Sequence, residues 1–142
     1  MRHSNRLIEE FMLLANISVA EKIQASFPKI SVLRCHPEPK MFLLLKVVDV
    51  LRRYGIDIDA TDSKTMQDSL NAYRPQDLSD KSSLGKWQVL LNLLTVPMQN
   101  AQYFCTGMKE NIDDYRHYAL SVPMYTHFTS PIRRYPDVLV HR

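Results

Sequence analysis

Residues 129 to 137 read TSPIRRYPD: two hydroxyls, two adjacent arginines and one acid within nine positions. Guanidinium groups suit paired hydrogen bonds to phosphate oxygens. Ser130 followed by Pro131 has the form of a helix N-cap with proline at the first helical position, where backbone N–H groups also face an anion. Pro136 conflicts with a regular helix through the whole string, because it has no N–H to give to the carbonyl of Ile132. The expected form is a tight turn over Thr129–Tyr135 that aims one arginine inward and the other outward. A helix then starts at Pro136, with Asp137 in its favourable first turn. Read as plain surface, the same residues are an arginine pair beside a helix cap.

A second group of candidates lies near the start. RLIEEFMLLAN sets Glu9 and Glu10 on an otherwise apolar helix. Neighbours on a helix point about 100° apart, so one of the two faces the polar stripe and the other the core edge. A carboxylate there needs a partner, either a nucleotide hydroxyl or a lysine. Other chemistries fare worse. Ser130, His127 and Asp137 could be written as a hydrolase triad, but they fall within eleven positions, without a strand–elbow–helix pattern or a glycine beside the serine. Cys35, His36, Cys105 and His117 lack paired zinc-ligand spacing. DIDATD, residues 57–62, lacks the glycine and final glutamate of a calcium loop and reads as a turn before a helix.

The net charge of +3 is concentrated in the same closing stretch. Residues 1–114 carry 14 Lys and Arg against 14 Asp and Glu, whereas residues 115–142 carry Arg116, Arg133, Arg134 and Arg142 against Asp137 alone. Five of the 13 aromatics also lie there: Tyr115, Tyr118, Tyr125, Phe128 and Tyr135. Arginines interleaved with rings are what a single-stranded nucleic acid requires, charge for its backbone and rings for its bases. A solvated basic edge with its aromatics in the core would have the same composition.

The elements that must position these residues read mainly as helices. With 142 residues, 45% of them apolar, the chain is sized for one domain with a real core. Apolar residues at three- and four-residue steps mark a first helix from about Ser4 to Ser26, stopped by Pro28. RCHPEP is a proline-punctuated loop. Pro39 opens a second helix, in which Arg52 and Arg53 occupy the last turn and Gly55 is placed as a C-cap. A short helix from about Lys64 to Tyr73 ends before Pro75. RPQDLSDKSSLG reads as a polar connector, and a fourth helix begins near Lys86 and breaks at Pro97. MQNAQYFC reads as a further helical stretch to Gly107, followed by the acidic turn KENIDD. Extended structure is expected near residues 117–130, giving an α+β class in one continuous domain. No apolar run is longer than Met41–Leu45, so no membrane span is expected. Two cysteines and no signal-peptide pattern point to the cytoplasm, with the nucleus as the alternative.

HSNRLIEEFMLLANISVAEKI, LRCHPEPK, AQYFCTG and HYALSVPMYTHFTSPIRRYPDVLVHR together resemble the catalytic RNB domain of the RNase II / RNase R exoribonucleases. The likeness runs along essentially the whole chain. It is strongest to the eukaryotic branch, and within it to the cytoplasmic, exosome-independent exonucleases that degrade uridylated RNA. The resemblance implies hydrolysis of single-stranded RNA from its 3′ end to nucleoside monophosphates, with magnesium held by clustered aspartates. It matches Arg133 to the catalytic arginine at the scissile phosphate, and one of Glu9 and Glu10 to a carboxylate near the terminal ribose. Tyr125, His127, Thr129, Ser130 and Arg134 belong to the same motif and are expected on the RNA path.

The departures from that family pattern are equally specific. The family's aspartate cluster lies upstream of the block matching HSNRLIEEF, and the aspartates present here do not match it. Its cold-shock and S1 domains have no counterpart in these residues. Val96 stands where the family often has an arginine. The chain, residues 1–142, is therefore expected to be part of an RNB catalytic domain without its own magnesium ligands, inactive alone. A core shaped for missing strands would leave an apolar face exposed. The alternatives are a non-catalytic single-strand RNA-binding module or inactive remnant, and a helical interaction protein without an RNA role.

Overall fold

A short two-stranded sheet ties the early part of the chain to the late part. In the computed structural model, which describes residues 3–75 and 80–142, helix α1 (His3–Ser26) leads into strand β1 (Val32–Cys35). β1 pairs antiparallel with β2 (Gln102–Cys105), setting Val32 opposite Cys105 and Arg34 opposite Tyr103. The backbone groups into two compact units, Met1–Pro37 with Asn100–Arg142, and Glu38–Gln99. No composition shift marks this division, because the second unit is inserted between the two paired strands and its borders are ordinary loop residues.

In the first unit, α1 ends where Pro28 cannot continue it. The Ser31 hydroxyl caps the last turn by donating toward the carbonyls of Ile23 (2.8 Å) and Phe27 (2.7 Å). Beneath the sheet, Ala20, Leu33 and Tyr115 are buried with Ile23, Phe104 and Met124 against them. β2 falls inside MQNAQYFC, which the sequence reading took for helix. Pairing with β1 and the contact of Phe104 with Tyr115, 5.2 Å between ring centroids, override local helical preference. The free edge of β1 is covered by the extended segment around Tyr125. The Arg34 N–H donates to the Tyr125 carbonyl at 2.7 Å, and the Thr126 hydroxyl donates to the Val32 carbonyl at 2.7 Å. Residues 117–130 thus run extended in part, but they form only single bridges, His36–His117 and His117–Val122, around a 3-10 turn at Tyr118–Leu120. The last helix, α5 below, spans Tyr135–His141 and starts one residue before Pro136.

The second unit is helical: α2 (Met41–Arg53), α3 (Ser63–Asn71) and α4 (Lys81–Thr95). Leu44 and Leu51 of α2, Ile58, Met66 and Leu70, and Leu90 and Leu94 of α4 form its buried core. Gly55 closes α2 at φ 75°, its N–H bonded to the Arg52 carbonyl and that of Ile56 to the Leu51 carbonyl. This is a Schellman motif, and the left-handed position favours glycine. α3 opens on a capping box between Asp62 and Thr65. α4 begins at Lys81, five positions earlier than its apolar pattern indicates, because the Asp80 side chain caps the Ser82 N–H at 3.0 Å. The expected polar connector includes residues 76–79, which lie outside the described residues. With five helices and one small sheet among the described residues, the fold is α+β. No described helix is long and apolar enough to cross a membrane.

Candidate functional site

Asp137 organises the TSPIRRYPD turn. Its side chain is fully buried at the start of helix α5 (Tyr135–His141). It accepts from the Ser130 N–H (2.8 Å) and from Nε and Nη2 of Arg134 (2.8 Å each). A buried carboxylate is tolerable only when matched in this way. Burial pushes its proton affinity up, but the bonds from Arg134 and Ser130 outweigh that and hold the carboxyl below its ordinary range. Arg134 also reaches the Thr129 hydroxyl at 3.5 Å. The Arg133 N–H closes the turn on the Ser130 carbonyl at 3.2 Å. Arg133 is exposed, and its guanidinium has no ion pair or hydrogen bond among the described residues. One arginine in, one out, is the arrangement expected from the two prolines.

A cavity of about 180 Å³ lies between this turn and α1, lined by Glu9, Asn16, Tyr125, Ser130 and Arg133 among others. Asn16, buried on α1, holds its two walls together. Its Nδ2 donates to the Tyr125 hydroxyl at 3.0 Å, and its Oδ1 accepts the Phe128 N–H at 2.9 Å. Burial raises the Tyr125 phenol above its usual range, so the hydroxyl stays neutral. His127 sits beside Tyr125, ring centroids 5.4 Å apart and edge to face. Burial first, and then the charges of Arg134 and Arg34, lower His127 to about 4. At neutral pH His127 is therefore uncharged, and its Nδ1 shares a hydrogen bond with the Tyr103 hydroxyl. Further in, His117 stacks on His36 at 5.3 Å and is likewise lowered to about 4, chiefly by burial and then by His36.

The structure brings most of the sequence-predicted residues together. Glu9, Tyr125, Thr129, Ser130, Arg133 and Arg134 all line the cavity. Glu9 and Glu10 are both exposed, so neither sits at the core edge as expected; only Glu9 lines the cavity, and His127 stands behind Tyr125. Sequence reasoning missed Asn16, Arg34 and Tyr103. Asn16 stands one helical turn beyond Met12 on the Glu9 face, a spacing that signals a shared face. Arg34 and Tyr103 carry no local signal, since only strand pairing joins them. A larger cavity of about 650 Å³ in the second unit is lined mainly by apolar residues such as Val50, Leu90 and Leu93, with Lys86 as its one charged lining residue among the described residues.

The donor set at the smaller cavity does not fit a magnesium ion. Its acids are Glu9 and the neighbouring Asp137, and both oxygens of Asp137 already accept from Arg134 or Ser130. Among the described residues no group of three or more His, Cys, Asp or Glu side chains could hold a metal.

This arrangement of a small sheet edged by helices has counterparts among solved structures. The family model for the RNB domain matches residues 1–142, and the chain belongs to this family. It is 47% identical over 141 residues to DIS3-like exonuclease 2 of Xenopus tropicalis, covering 99% of this chain and 16% of that protein. It is also 47% identical over 140 residues to the inactive exonuclease DIS3L2 of Arabidopsis thaliana, covering 98% of this chain and 13% of that protein. The structure of Mycoplasma genitalium RNase R with ribose-methylated single-stranded RNA matches with a TM-score of 0.74 at 26% identity, over 100% of this chain and 21% of that one. Yeast Ssd1, a pseudonuclease, matches with a TM-score of 0.79 at 31% identity, over 95% of this chain and 16% of that one. The chain thus spans less than a fifth of the length of the curated relatives it matches.

Proposed function

We propose that this chain supplies the arginine-bearing wall of a 3′→5′ exoribonuclease site that takes single-stranded RNA and releases nucleoside monophosphates. The observation that carries this reading is the contrast within the arginine pair. Asp137 neutralises Arg134, while Arg133 faces the cavity unpaired, opposite Glu9. An unneutralised guanidinium at the cavity is suited to a phosphate oxygen and to the charge that develops there during hydrolysis. Glu9 lies where a sugar hydroxyl would meet it, and Thr129 and Ser130 border the phosphate path. In this reading magnesium is bound by residues other than these, the isolated chain has no turnover, and the working enzyme is cytoplasmic.

A second reading, a non-catalytic RNA-binding module, is favoured by two of the similarities. The Arabidopsis relative named inactive is as similar over this stretch as the Xenopus exonuclease, and Ssd1 is a pseudonuclease. Both readings expect salt-dependent binding of single strands that falls when Arg133 is replaced by alanine. They separate when the chain is joined to an aspartate-bearing RNB segment and given magnesium. Monophosphate release abolished by Arg133→Ala supports the enzyme; binding without release supports the module. RNA affinity unchanged by Arg133→Ala would defeat both.

A further inference from the structure

The cavity of about 650 Å³ in the second unit has no part in the arginine site. It lies along the contact of α2 with α4, and Tyr73, just past the end of α3, supplies a further wall. Leu51 and Leu90, both members of the buried core, form its inner part. Val50 and Val89 line it as well, yet keep 47% and 56% of their surface in water. Tyr73 is held in place by its hydroxyl, which accepts the Asp57 N–H at 3.0 Å. Ser83 and Lys86, three apart on α4, bring polar groups to one face of that helix. Lys86 is exposed and has no ion pair among the described residues. Its charge reaches Asp80, but that carboxylate lies outside the lining and already accepts from the Ser82 N–H and the Ser83 hydroxyl. Among the described residues no acid lines the cavity.

Apolar walls with a few polar groups on one side are the form of a small-molecule site. The lining also sets the chemistry of the occupant. A strand of RNA brings a charge with every nucleotide, which a single lysine does not match. Lys86 repels a cationic amphiphile, and a sugar would leave its hydroxyls without partners against valine and leucine. A single carboxylate on a hydrocarbon tail suits both parts of the cavity. The tail takes Val50 and Val89 out of water, and the head meets an ammonium whose stem lies along the apolar rim. We propose that this cavity binds a monoanionic amphiphile, a fatty-acid-like carboxylate whose tail lies against Leu51, Leu90 and Leu93 and whose head meets Lys86. This binding is separate from the RNA-binding function proposed above and does not depend on it.

The test is a methyl NMR titration of the whole chain with octanoate, decanoate and decanol, each below its micelle-forming concentration. Decanoate shifts the methyls of Val50, Val89, Leu90 and Leu93 in a saturable way, and binds about tenfold tighter than octanoate through its two further methylenes. Lys86→Gln weakens decanoate about threefold, the effect of an exposed ion pair, and leaves decanol unchanged. Val89→Phe, at an exposed helix position, fills the opening and removes binding of both. The unmutated chain alone suffices to decide the location of the site, whatever the variants do to folding. The proposal is overturned if Leu7 and Leu14 of α1 shift equally and without saturation, because the amphiphile then merely coats exposed apolar surface. It is also overturned if the cavity methyls shift on concentrating the chain without ligand, which assigns the cavity to a second copy, or if they do not respond to decanoate. An unchanged decanoate affinity in Lys86→Gln would overturn the carboxylate assignment.

Discussion

Arg133 and Arg134 are adjacent and chemically identical, yet their surroundings give them opposite work. Arg134 keeps 20% of its side-chain surface and makes two hydrogen bonds to a carboxylate with none exposed. Removing the carboxylate leaves a partly buried guanidinium and the Ser130 N–H without partners. Asp137→Ala is therefore expected to cost about 3 kcal/mol, the lower end of the range for breaking a buried pair, since Arg134 retains some water. Arg133→Ala removes an exposed, unpaired side chain and should shift stability by no more than about 0.5 kcal/mol. Urea denaturation of the two variants checks both values. A large loss in Arg133→Ala would mean that this residue holds the turn rather than serves the cavity. The motif itself was legible in the sequence, because prolines at 131 and 136 dictate a turn that splits the arginines. The depth of Asp137 was not, since its burial depends on α5 meeting the distant strand β1.

Helices were legible where apolar spacing and caps agree, as in α1, α2 and α3, whose limits match the sequence reading to within a few residues. The strands were not, because a four-residue strand has too few positions to show a period, and what makes β1 and β2 strands is each other. Arg34 and Tyr103 went unread for the same reason, since only strand pairing joins them, whereas Asn16 could have been read from its spacing on the Glu9 face of α1. The three glycines show how element context decides the effect of one substitution. A Cβ at Gly107 would collide with the Lys29 carbonyl oxygen, which accepts the Gly107 N–H at 2.8 Å. Gly107→Ala must then move the connection between α1 and the sheet, at a cost of roughly 1–3 kcal/mol. Gly85 lies inside α4 with nothing within 4 Å of an added Cβ. Gly85→Ala should stabilise by about 0.5–1 kcal/mol. Thermal melts of the two variants moving in opposite directions would bear this out; a shared direction would contradict the assigned environments.

For the molecule as a whole, two imidazoles set the acid limit. His117 and His127 are held at about 4, mainly by burial, while in the unfolded chain they return to about 6.5. Between those values the unfolded chain binds protons that the folded chain excludes, so the stability is complete above about pH 6.5 and declines as pH falls toward 4. Below that, the lowered carboxyl of Asp137 adds a further loss. Urea midpoints should therefore be lower at pH 5 than at pH 7, and His127→Gln should flatten part of the difference; equal midpoints would refute the depressed values. Surface composition sets the other whole-molecule property. Leu7, Ile8, Phe11 and Leu14 of α1 are each 58–60% exposed and fall on one stripe of the helix. A contiguous apolar stripe of this kind associates in water. Sedimentation should show concentration-dependent self-association, reduced in the Phe11→Lys, Leu14→Lys double variant. Lysine is a good helix former at exposed positions, so that variant should keep its stability to within about 0.5 kcal/mol. If it instead loses several times that amount while remaining monomeric, the stripe serves the fold of the chain and not its association.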